Sequence, residues 1–278
     1  MAENQLILIA DDFGLSDGIN AAILELLSLG RLSGTSVMTN MPHFAAGASA
    51  LKAYHQHADL GLHLTLTLGK PLSPMPQFAP ETQFPVLGSV MKRAFTGRLD
   101  RNEIVAEIIA QIQCFRDALG FLPDYIDGHQ HVHILPIVRA ALFDAITSFP
   151  DFKPWIRCPS DNVFAIWRRG IAIKKSLILT ALSFGFRQQC KRRGLRTNLS
   201  FSGASDFDAT QNFGSAFRSY LKAPGPRHLV MCHPGYVAPN EDLLDIVKDT
   251  RPIELAFLKG ADYGAIMNEA HLKIARFA

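Results

Sequence analysis

The fold is indicated first by residues 6–14, which read LILIADDFG. Residues 6–10 form an unbroken apolar run, which is typical of a strand that is buried on both faces, as in a parallel sheet. Residues 16–29 then repeat apolar side chains at helical spacing, and Gly30 is typical of a helix end. The polar pair Asp11 and Asp12 therefore stands where the first strand gives way to a loop.

The same alternation of short apolar runs and longer amphipathic runs continues along the chain. Alternation of this kind predicts parallel strands covered by helices, and a count of about seven strands favours a distorted (β/α) barrel over an open sheet. Further strands are predicted at residues 34–40, 60–66, 125–127, 155–159, 197–203 and 228–234. Helices are predicted at residues 16–29, 45–54, 102–119, 135–147, 171–193 and 252–269.

Composition and charge exclude several classes of protein. The 278 residues are 48% hydrophobic and 19% charged, as in a globular protein, and the net charge of +3 is too small to indicate a nucleic-acid partner. The start MAENQLILIA lacks the pattern of a signal peptide, and the apolar passage 171–186 is too short for an integral membrane segment. Four scattered cysteines are typical of reduced thiols, so we expect a cytoplasmic enzyme.

Residues 125–136, YIDGHQHVHILP, are the strongest indication of a metal site. In an extended strand, Asp127, His129, His131 and His133 would share one face. Side chains two positions apart in a strand lie roughly 6.5–7 Å from each other, and Zn–N bonds are only ~2.1 Å long, so one ion hardly reaches all three histidines. We therefore expect His129, nearest the strand end, to be best placed as a ligand, with His131 and His133 supporting it or contacting substrate.

Other polar side chains follow other predicted strands. Asp11 and Asp12 are adjacent and should point in different directions, so one can bind a metal while the other faces substrate; the alternative is a loop pair that caps the next helix. His63 lies in the strand GLHLTL, and His233 follows the strand HLVMC, where a histidine can serve as a general acid. Taken alone, His63 is more often a structural histidine than a ligand, and His233 is only a loop histidine before a proline. In barrels, however, the carboxyl ends of the strands carry the active site.

Four ordered segments resemble the YdjC-like carbohydrate deacetylases, of which chitooligosaccharide deacetylase is the best-known member. These segments are LILIADDFGLSDGIN, GLHLTLTLGKPLSPMP, DGHQHVHILPIV and LVMCHPGY. The resemblance implies a single catalytic domain over residues 1–278. It is dense in the N-terminal half and loose over residues 155–217, which are expected to shape the substrate cleft.

The resemblance also implies a divalent metal ion and its ligands. The second aspartate of ADDFG, here Asp12, would bind the ion together with His63 and His129. The resemblance implies Mg²⁺, whereas two imidazoles and one carboxylate also suit Zn²⁺.

The implied reaction removes acetyl groups from N-acetylated sugars or oligosaccharides and releases acetate and a free amino sugar. Asp11 resembles the catalytic base of related polysaccharide deacetylases, and His233 occupies the place of their acid. Arg157, in the segment RCP, is similar to an arginine that orients the base.

Two other classes of function are considered. Another barrel metallohydrolase, an amidohydrolase or a phosphoesterase, would use similar residues, but those enzymes typically carry an HxH pair on the first strand, which here ends in DD. A non-catalytic sugar-binding homologue is the other alternative.

One basic stretch of the sequence has no role in any of these functions. No acidic residue occurs between Asp161 and Asp206, where nine lysines and arginines fall at positions 168–196. We interpret it as a solvated surface. An anionic partner, a membrane surface or a homodimer interface are the alternatives.

Overall fold

One curled sheet of parallel strands lies at the centre of the molecule. The computed structural model describes residues 4–237 and 245–277. The strands lie in the order β5-β4-β3-β2-β1-β7-β6, with β8 paired to the beginning of β1, and every pairing is parallel. The strands are β1 (Asn4–Phe13), β2 (Gly34–Val37), β3 (Asp59–Leu64), β4 (Tyr125–Gly128), β5 (Trp155–Ile156), β6 (Ser200–Ser202), β7 (His228–Cys232) and β8 (Leu272–Ile274).

The two ends of this sheet approach each other. A parallel bridge joins Ile156 of β5 to Thr197, in the segment that leads into β6. The backbone N–H of Ile156 donates to the carbonyl oxygen of Arg196 at 2.8 Å. The sheet therefore curls into a distorted barrel, and the fold class predicted from the strand–helix alternation is confirmed.

Eleven helices are found in the described residues, and most of them follow a strand. A side chain caps the N-terminus of the helix that follows Ser16, where the hydroxyl accepts from the N–H of Ile19. Asp100 caps another helix by accepting from the N–H groups of Asn102 and Glu103. The helices are α1 (Asp17–Ser28), α2 (Phe44–Lys52), α3 (Leu87–Phe95), α4 (Arg101–Leu119), α5 (Val138–Thr147), α6 (Val163–Arg169), α7 (Ile173–Leu182), α8 (Phe186–Arg192), α9 (Phe213–Tyr220), α10 (Arg251–Lys259) and α11 (Ala261–Glu269).

Strand β1 explains why its sequence is an unbroken apolar run. Leu6, Leu8 and Ala10 pack in the layer that contains α1, whereas Ile7 and Ile9 pack in the cluster that fills the other side of the strand. All five side chains are buried. A strand covered on both faces has no position at which a polar residue is tolerated, until the strand reaches its carboxyl end.

Two long helices were predicted wrongly. The predicted helix 171–193 is divided into α7 and α8, because Gly185 adopts a left-handed φ of 72° that ends the helical path. The predicted helix 252–269 is divided into α10 and α11 at Gly260, whose backbone is extended. Helices α3, α6 and α9 and strand β8 were not predicted.

The extended conformation assumed for residues 129–133 is also wrong. Strand β4 ends at Gly128, and His129–Ile134 form a 3-10 turn. Gln130 and His131 are left-handed, with φ of 52° and 59°. The three histidines therefore do not share one face, and the chain turns sharply above the barrel.

No helix among the described residues is both long enough and apolar enough to cross a bilayer.

A buried histidine predicts how stability depends on pH. The ring of His228 lies 2.7 Å from Ser200 Oγ, 3.0 Å from the carbonyl oxygen of Tyr220 and 3.1 Å from Ser202 Oγ. Burial, assisted by Arg169, lowers the pKa of His228 from 6.5 to about 4. The unfolded chain therefore takes up a proton before the folded protein does, so stability falls as the pH drops from about 6.5 to about 4.

This shift corresponds to about 3 kcal/mol of unfolding free energy. Urea denaturation between neutral pH and pH 4.5 should show a smaller loss of stability for His228→Gln than for the wild type, because glutamine does not titrate. Parallel curves for the two proteins would contradict this assignment.

Candidate functional site

All six residues singled out in the sequence come together at the carboxyl ends of the strands. The strands are parallel, so their carboxyl ends meet at one face of the barrel. Two of the six belong to β1, one to β3, and one each follows β4, β5 and β7; in chain order they are Asp11, Asp12, His63, His129, Arg157 and His233.

An irregularity in β1 separates the two aspartates. The register of β1 against β2 shifts between Ala10 and Phe13, and Asp12 has a positive φ of 74°. This conformation is unfavourable for a residue other than glycine and is typical of functional sites. As a result, Asp11 points towards β5, whereas Asp12 meets histidines that belong to β3 and to the turn after β4.

Asp12, His63 and His129 form a group that could hold a metal ion. The Oδ1 atom of Asp12 lies 3.3 Å from His63 Nε2 and 3.3 Å from His129 Nδ1. Ligands of one ion with bonds of ~2.1 Å lie about 3.0–3.4 Å apart, so these separations fit. The same Oδ1 atom is buried and has no well-aligned hydrogen bond within the described part of the chain. A divalent ion placed among this oxygen and the two imidazole nitrogens would be bound by all three atoms, so the residues fit such an ion.

The two ligands of this group that come from strands are oriented by further hydrogen bonds. Asp127 Oδ1 lies 2.6 Å from His63 Nδ1, so Nε2 of that ring is directed at Asp12. The other oxygen of Asp12, Oδ2, accepts from Arg251 Nη2 at 2.6 Å. A carboxylate behind a ligating histidine fixes its ring and its tautomer, as is common at metal sites.

A second group of potential ligands overlaps the first. Asp11, His63 and Asp127 also offer atoms within 4.8 Å of one another. Arg157, however, binds both carboxylates, at 2.6 Å and 2.7 Å. In the first group, by contrast, Arg251 contacts only Oδ2 of Asp12 and leaves Oδ1 facing the two imidazoles, so the first group is the better metal site.

Arg157 holds Asp11 in a two-point ion pair. Its Nη1 donates to Asp11 Oδ2 at 2.7 Å, and its Nη2 donates to Oδ1 at 2.6 Å. The guanidinium is completely buried and also donates to Ser36 Oγ. Burial opposes ionisation of Asp11, but the charge of Arg157 outweighs it and holds the pKa of Asp11 below its ordinary value. Asp11 is therefore an anion with a fixed position.

His233 lies beside Asp11 at the end of β7. Its Nε2 atom is 4.0 Å from Asp11 Oδ2, and its ring meets the ring of Phe207 edge to face. Burial lowers the pKa of His233 to about 4, with Arg251 acting in the same direction against two nearby carboxylates. The ring is therefore neutral at pH 7 in the ion-free protein.

The other two histidines of the HxHxH segment have supporting positions. His133 Nε2 donates to the carbonyl oxygen of Arg157 at 2.8 Å and so braces the residue that holds Asp11. The ring of His131 packs against Phe201 and lines the cavity above the site. Neither belongs to the group formed by Asp12, His63 and His129.

Sequence reasoning missed two residues of α10. Arg251 fixes Asp12 and is itself held by Asp245, whose oxygens accept from Arg251 Nε at 2.6 Å and from Nη2 at 3.0 Å. Glu254 Oε2 accepts from the backbone N–H of His233 at 2.6 Å, and burial raises its pKa to about 7. Both are charged residues at the start of an ordinary amphipathic helix, so no local pattern distinguishes them from surface residues.

A cavity of about 450 Å³ opens above these side chains. Asp11, Asp12, His63, His129 and His233 all line it. This volume lies within the range of ~300–1,000 Å³ that is typical of small-molecule sites. The carboxylates and imidazoles therefore face a space that a substrate can enter.

Comparison with solved structures supports the fold. A protein of Enterococcus faecalis V583, proposed to cleave cellobiose phosphate, superposes with a TM-score of 0.71 at 21% identity, over 99% of this chain and 98% of that protein. A family 4 carbohydrate esterase from Streptomyces lividans superposes with a TM-score of 0.50 at 11% identity, over 100% of this chain and 95% of the esterase. At these identities the likeness concerns the barrel alone.

Comparison of sequences supports a closer relationship. A chitooligosaccharide deacetylase of Klebsiella pneumoniae (strain 342) is 32% identical over 237 residues, which are 84% of this chain and 83% of the relative. The chitooligosaccharide deacetylase of Proteus mirabilis (strain HI4320) is 41% identical over 138 residues, about half of each chain at 48% and 53%. The family described as YdjC-like protein matches residues 5–269, so the resemblance carried by the four motifs is confirmed. The chain belongs to the YdjC-like protein family.

Proposed function

We propose that this protein is a metal-dependent carbohydrate deacetylase, which removes acetyl groups from N-acetylated sugars or oligosaccharides. The observation that carries the proposal is the convergence of Asp12, His63 and His129 around one unpartnered oxygen, with Asp11 fixed next to them. The relatives named chitooligosaccharide deacetylase support the same reaction. The products would be acetate and a free amino sugar.

Asp12, His63 and His129 would hold the divalent ion. An ion bound there would polarise the amide carbonyl and lower the pKa of water, which is the chemistry that hydrolysis of an unreactive amide needs. The family resemblance implies Mg²⁺. The two imidazole nitrogens favour Zn²⁺, because Mg²⁺ prefers oxygen ligands.

Asp11 would act as the base that accepts the proton of the attacking water. Its carboxylate lines the cavity and is held ionised by Arg157, so it is in the correct protonation state at neutral pH. The two-point pairing also fixes where its oxygens lie. Arg157 would therefore position the base and would not touch the substrate.

His233 would donate a proton to the departing nitrogen. It lines the same cavity as Asp11, on the side of β7. Its lowered pKa keeps the free ring neutral, so the proton that it donates has to be the one that Asp11 takes from water. That proton would pass from Asp11 to His233 Nε2, 4.0 Å from Asp11 Oδ2, as negative charge on the reacting amide raises the pKa of the imidazole. The hydrogen bond from its backbone N–H to Glu254 fixes its position.

Several expectations about the whole protein stay predictions. They are a single catalytic domain over residues 1–278 with a substrate-shaping region at 155–217, a cytoplasmic location, and a homodimer. A carbohydrate substrate agrees with the named relatives.

The reaction can be tested by metal removal. Protein stripped with a chelator should release no acetate from oligomers of N-acetylglucosamine, and activity should return on addition of Zn²⁺ or Mg²⁺, because the Asp12 group needs a cation. Comparing acetate release with the two ions at saturation identifies the ion that supports the higher activity.

Release of phosphate from phosphorylated sugars without release of acetate would favour the phosphoesterase alternative. Metal binding with no turnover of any acetylated sugar would favour the sugar-binding alternative.

The two adjacent aspartates should separate metal binding from catalysis. Asp12→Asn should lower metal affinity by on the order of 100-fold or more, since it removes a ligand's charge. Asp11→Asn should keep the metal but lower kcat by roughly 10²–10⁴-fold, as expected for loss of a general base. Calorimetric metal titration and acetate release measure the two effects.

Asp117→Asn serves as the control, because Asp117 is 67% exposed and pairs with Arg116 outside the cavity. If Asp11→Asn lost the metal and Asp12→Asn kept it, the assignment of the two roles would be reversed.

Arg251 should support metal binding through Asp12. Arg251→Lys keeps the charge but cannot bind Asp12 and Asp245 together, so metal affinity should fall by roughly 10–100-fold. The free energy of unfolding is measured alongside, so that loss of fold is not mistaken for loss of affinity. A well-folded Arg251→Lys protein with wild-type metal affinity would exclude this role.

A further inference from the structure

The cavity above the metal group has a continuous aliphatic wall. Two side chains of α3 and two of α7 contribute to it, and each pair is spaced four residues apart, so each helix presents one apolar stripe to the same space. Two more residues are the last residue of the 3-10 turn and the one after it. The six are Leu87, Met91, Ile134, Leu135, Ile178 and Leu182.

Part of this wall is in contact with water in the free protein. Ile178 is 46% exposed, and Leu87, Met91 and Leu182 are partly buried, whereas Ile134 and Leu135 belong to the core beneath them. Covering such aliphatic surface is favourable for any apolar ligand group. A sugar hydroxyl placed there would lose its hydrogen bonds to water without replacement, which lowers affinity. The wall is therefore suited to a hydrocarbon group.

The wall is continuous with the reaction centre. His129 and Ile134 begin and end the same 3-10 turn, and both line the cavity. Lys175 of α7 lines it as well, one turn before Ile178, and its ammonium is held by the carbonyl oxygen of Ser205 at 2.8 Å. A ligand that reaches the metal group and is large enough to fill the cavity therefore contacts the aliphatic wall.

We propose that the substrate is amphiphilic: the N-acetylated sugar that reacts at the metal group carries a hydrocarbon aglycone, and this aglycone lies along the wall formed by α3, α7 and the 3-10 turn. The inference rests on the proposed deacetylase function and specifies its substrate class. The hydrocarbon is assigned to the aglycone and not to the acyl group, because the named relatives are deacetylases, so the acyl group removed is acetyl.

A series of glycosides tests the wall directly. The probes are methyl, butyl and octyl 2-acetamido-2-deoxyglucosides, used below the concentrations at which they aggregate. Calorimetry with metal-free protein gives Kd, and acetate release by metal-loaded protein gives kcat/KM. Each methylene that leaves water improves binding about fourfold, so the butyl glycoside should bind roughly 10–60-fold more tightly than the methyl glycoside. A Kd that does not change along the series overturns the inference.

Matched variants show whether the wall residues cause the dependence of affinity on chain length. Ile178→Gln and Leu182→Gln should each lower the ratio of butyl to methyl affinity by at least about threefold, because a polar amide replaces part of the wall. Leu29→Gln is the control; Leu29 is 51% exposed at the end of α1, away from the cavity lining, and its variant should keep the wild-type ratio. A chain-length effect that persists unchanged in both wall variants also overturns the inference.

Two further arms separate the alternatives. If N-octanoylglucosamine shows the chain-length effect and the octyl glycoside does not, the hydrocarbon lies on the acyl side and the assignment to the aglycone is wrong. If no substrate releases acetate with metal present, the proposed function fails, while the metal-free Kd series still decides whether the wall binds hydrocarbon. If chitooligosaccharides are deacetylated but the alkyl series is flat, the function stands and this inference fails.

Discussion

The buried guanidinium of Arg157 is the interaction on which the site depends. It neutralises two buried carboxylates, Asp11 of β1 and Asp127 of β4. Breaking a buried ion pair by removing one partner costs about 3–5 kcal/mol, because a charge is left unpaired in the interior. Three strands are therefore held in one arrangement at their carboxyl ends. Asp127 in turn contacts the ring of His63 and orients it towards Asp12.

The charge balance of the centre also explains how it responds to a cation. Burial disfavours a charged His63, but Asp127 and Asp11 outweigh burial and raise the pKa of His63 to about 10. In the ion-free protein the ring therefore carries a proton on the nitrogen that faces Asp12. A metal ligand must be a neutral imidazole, so binding of a divalent ion releases that proton, and affinity for the ion rises with pH. In the ion-free protein, this proton supplies positive charge that balances the negative charge of the buried carboxylates.

The sequence predicted the polar residues at the strand ends better than the residues around them. A buried strand and its polar end are specified by neighbouring residues, whereas the surrounding contacts join distant parts of the chain. The run LILIA followed by Asp11 and Asp12 specifies a buried strand and its polar end within a few residues, and the strand positions of His63 and His233 follow in the same way. The conformation after β4 was wrong because alternation of histidines resembles a strand, whereas the left-handed turn at Gln130 depends on packing above the barrel. Arg251 was missed because its partner, Asp12, lies far away in the chain.

The chemistry and the substrate specificity of this protein are carried by different layers. Asp11, Asp12 and His63 lie on strands; the network around Arg157 fixes Asp11 and His63, and Arg251 fixes Asp12. The aliphatic wall comes from α3 and α7, outside the sheet, and α7 belongs to the segment 155–217 that matches the family motifs loosely. Because helix side chains that face the cavity do not take part in the ion-pair network, they can change without disturbing the strand ends. Under the proposed function, the strand ends and their metal group specify the reaction, while the wall selects the substrate.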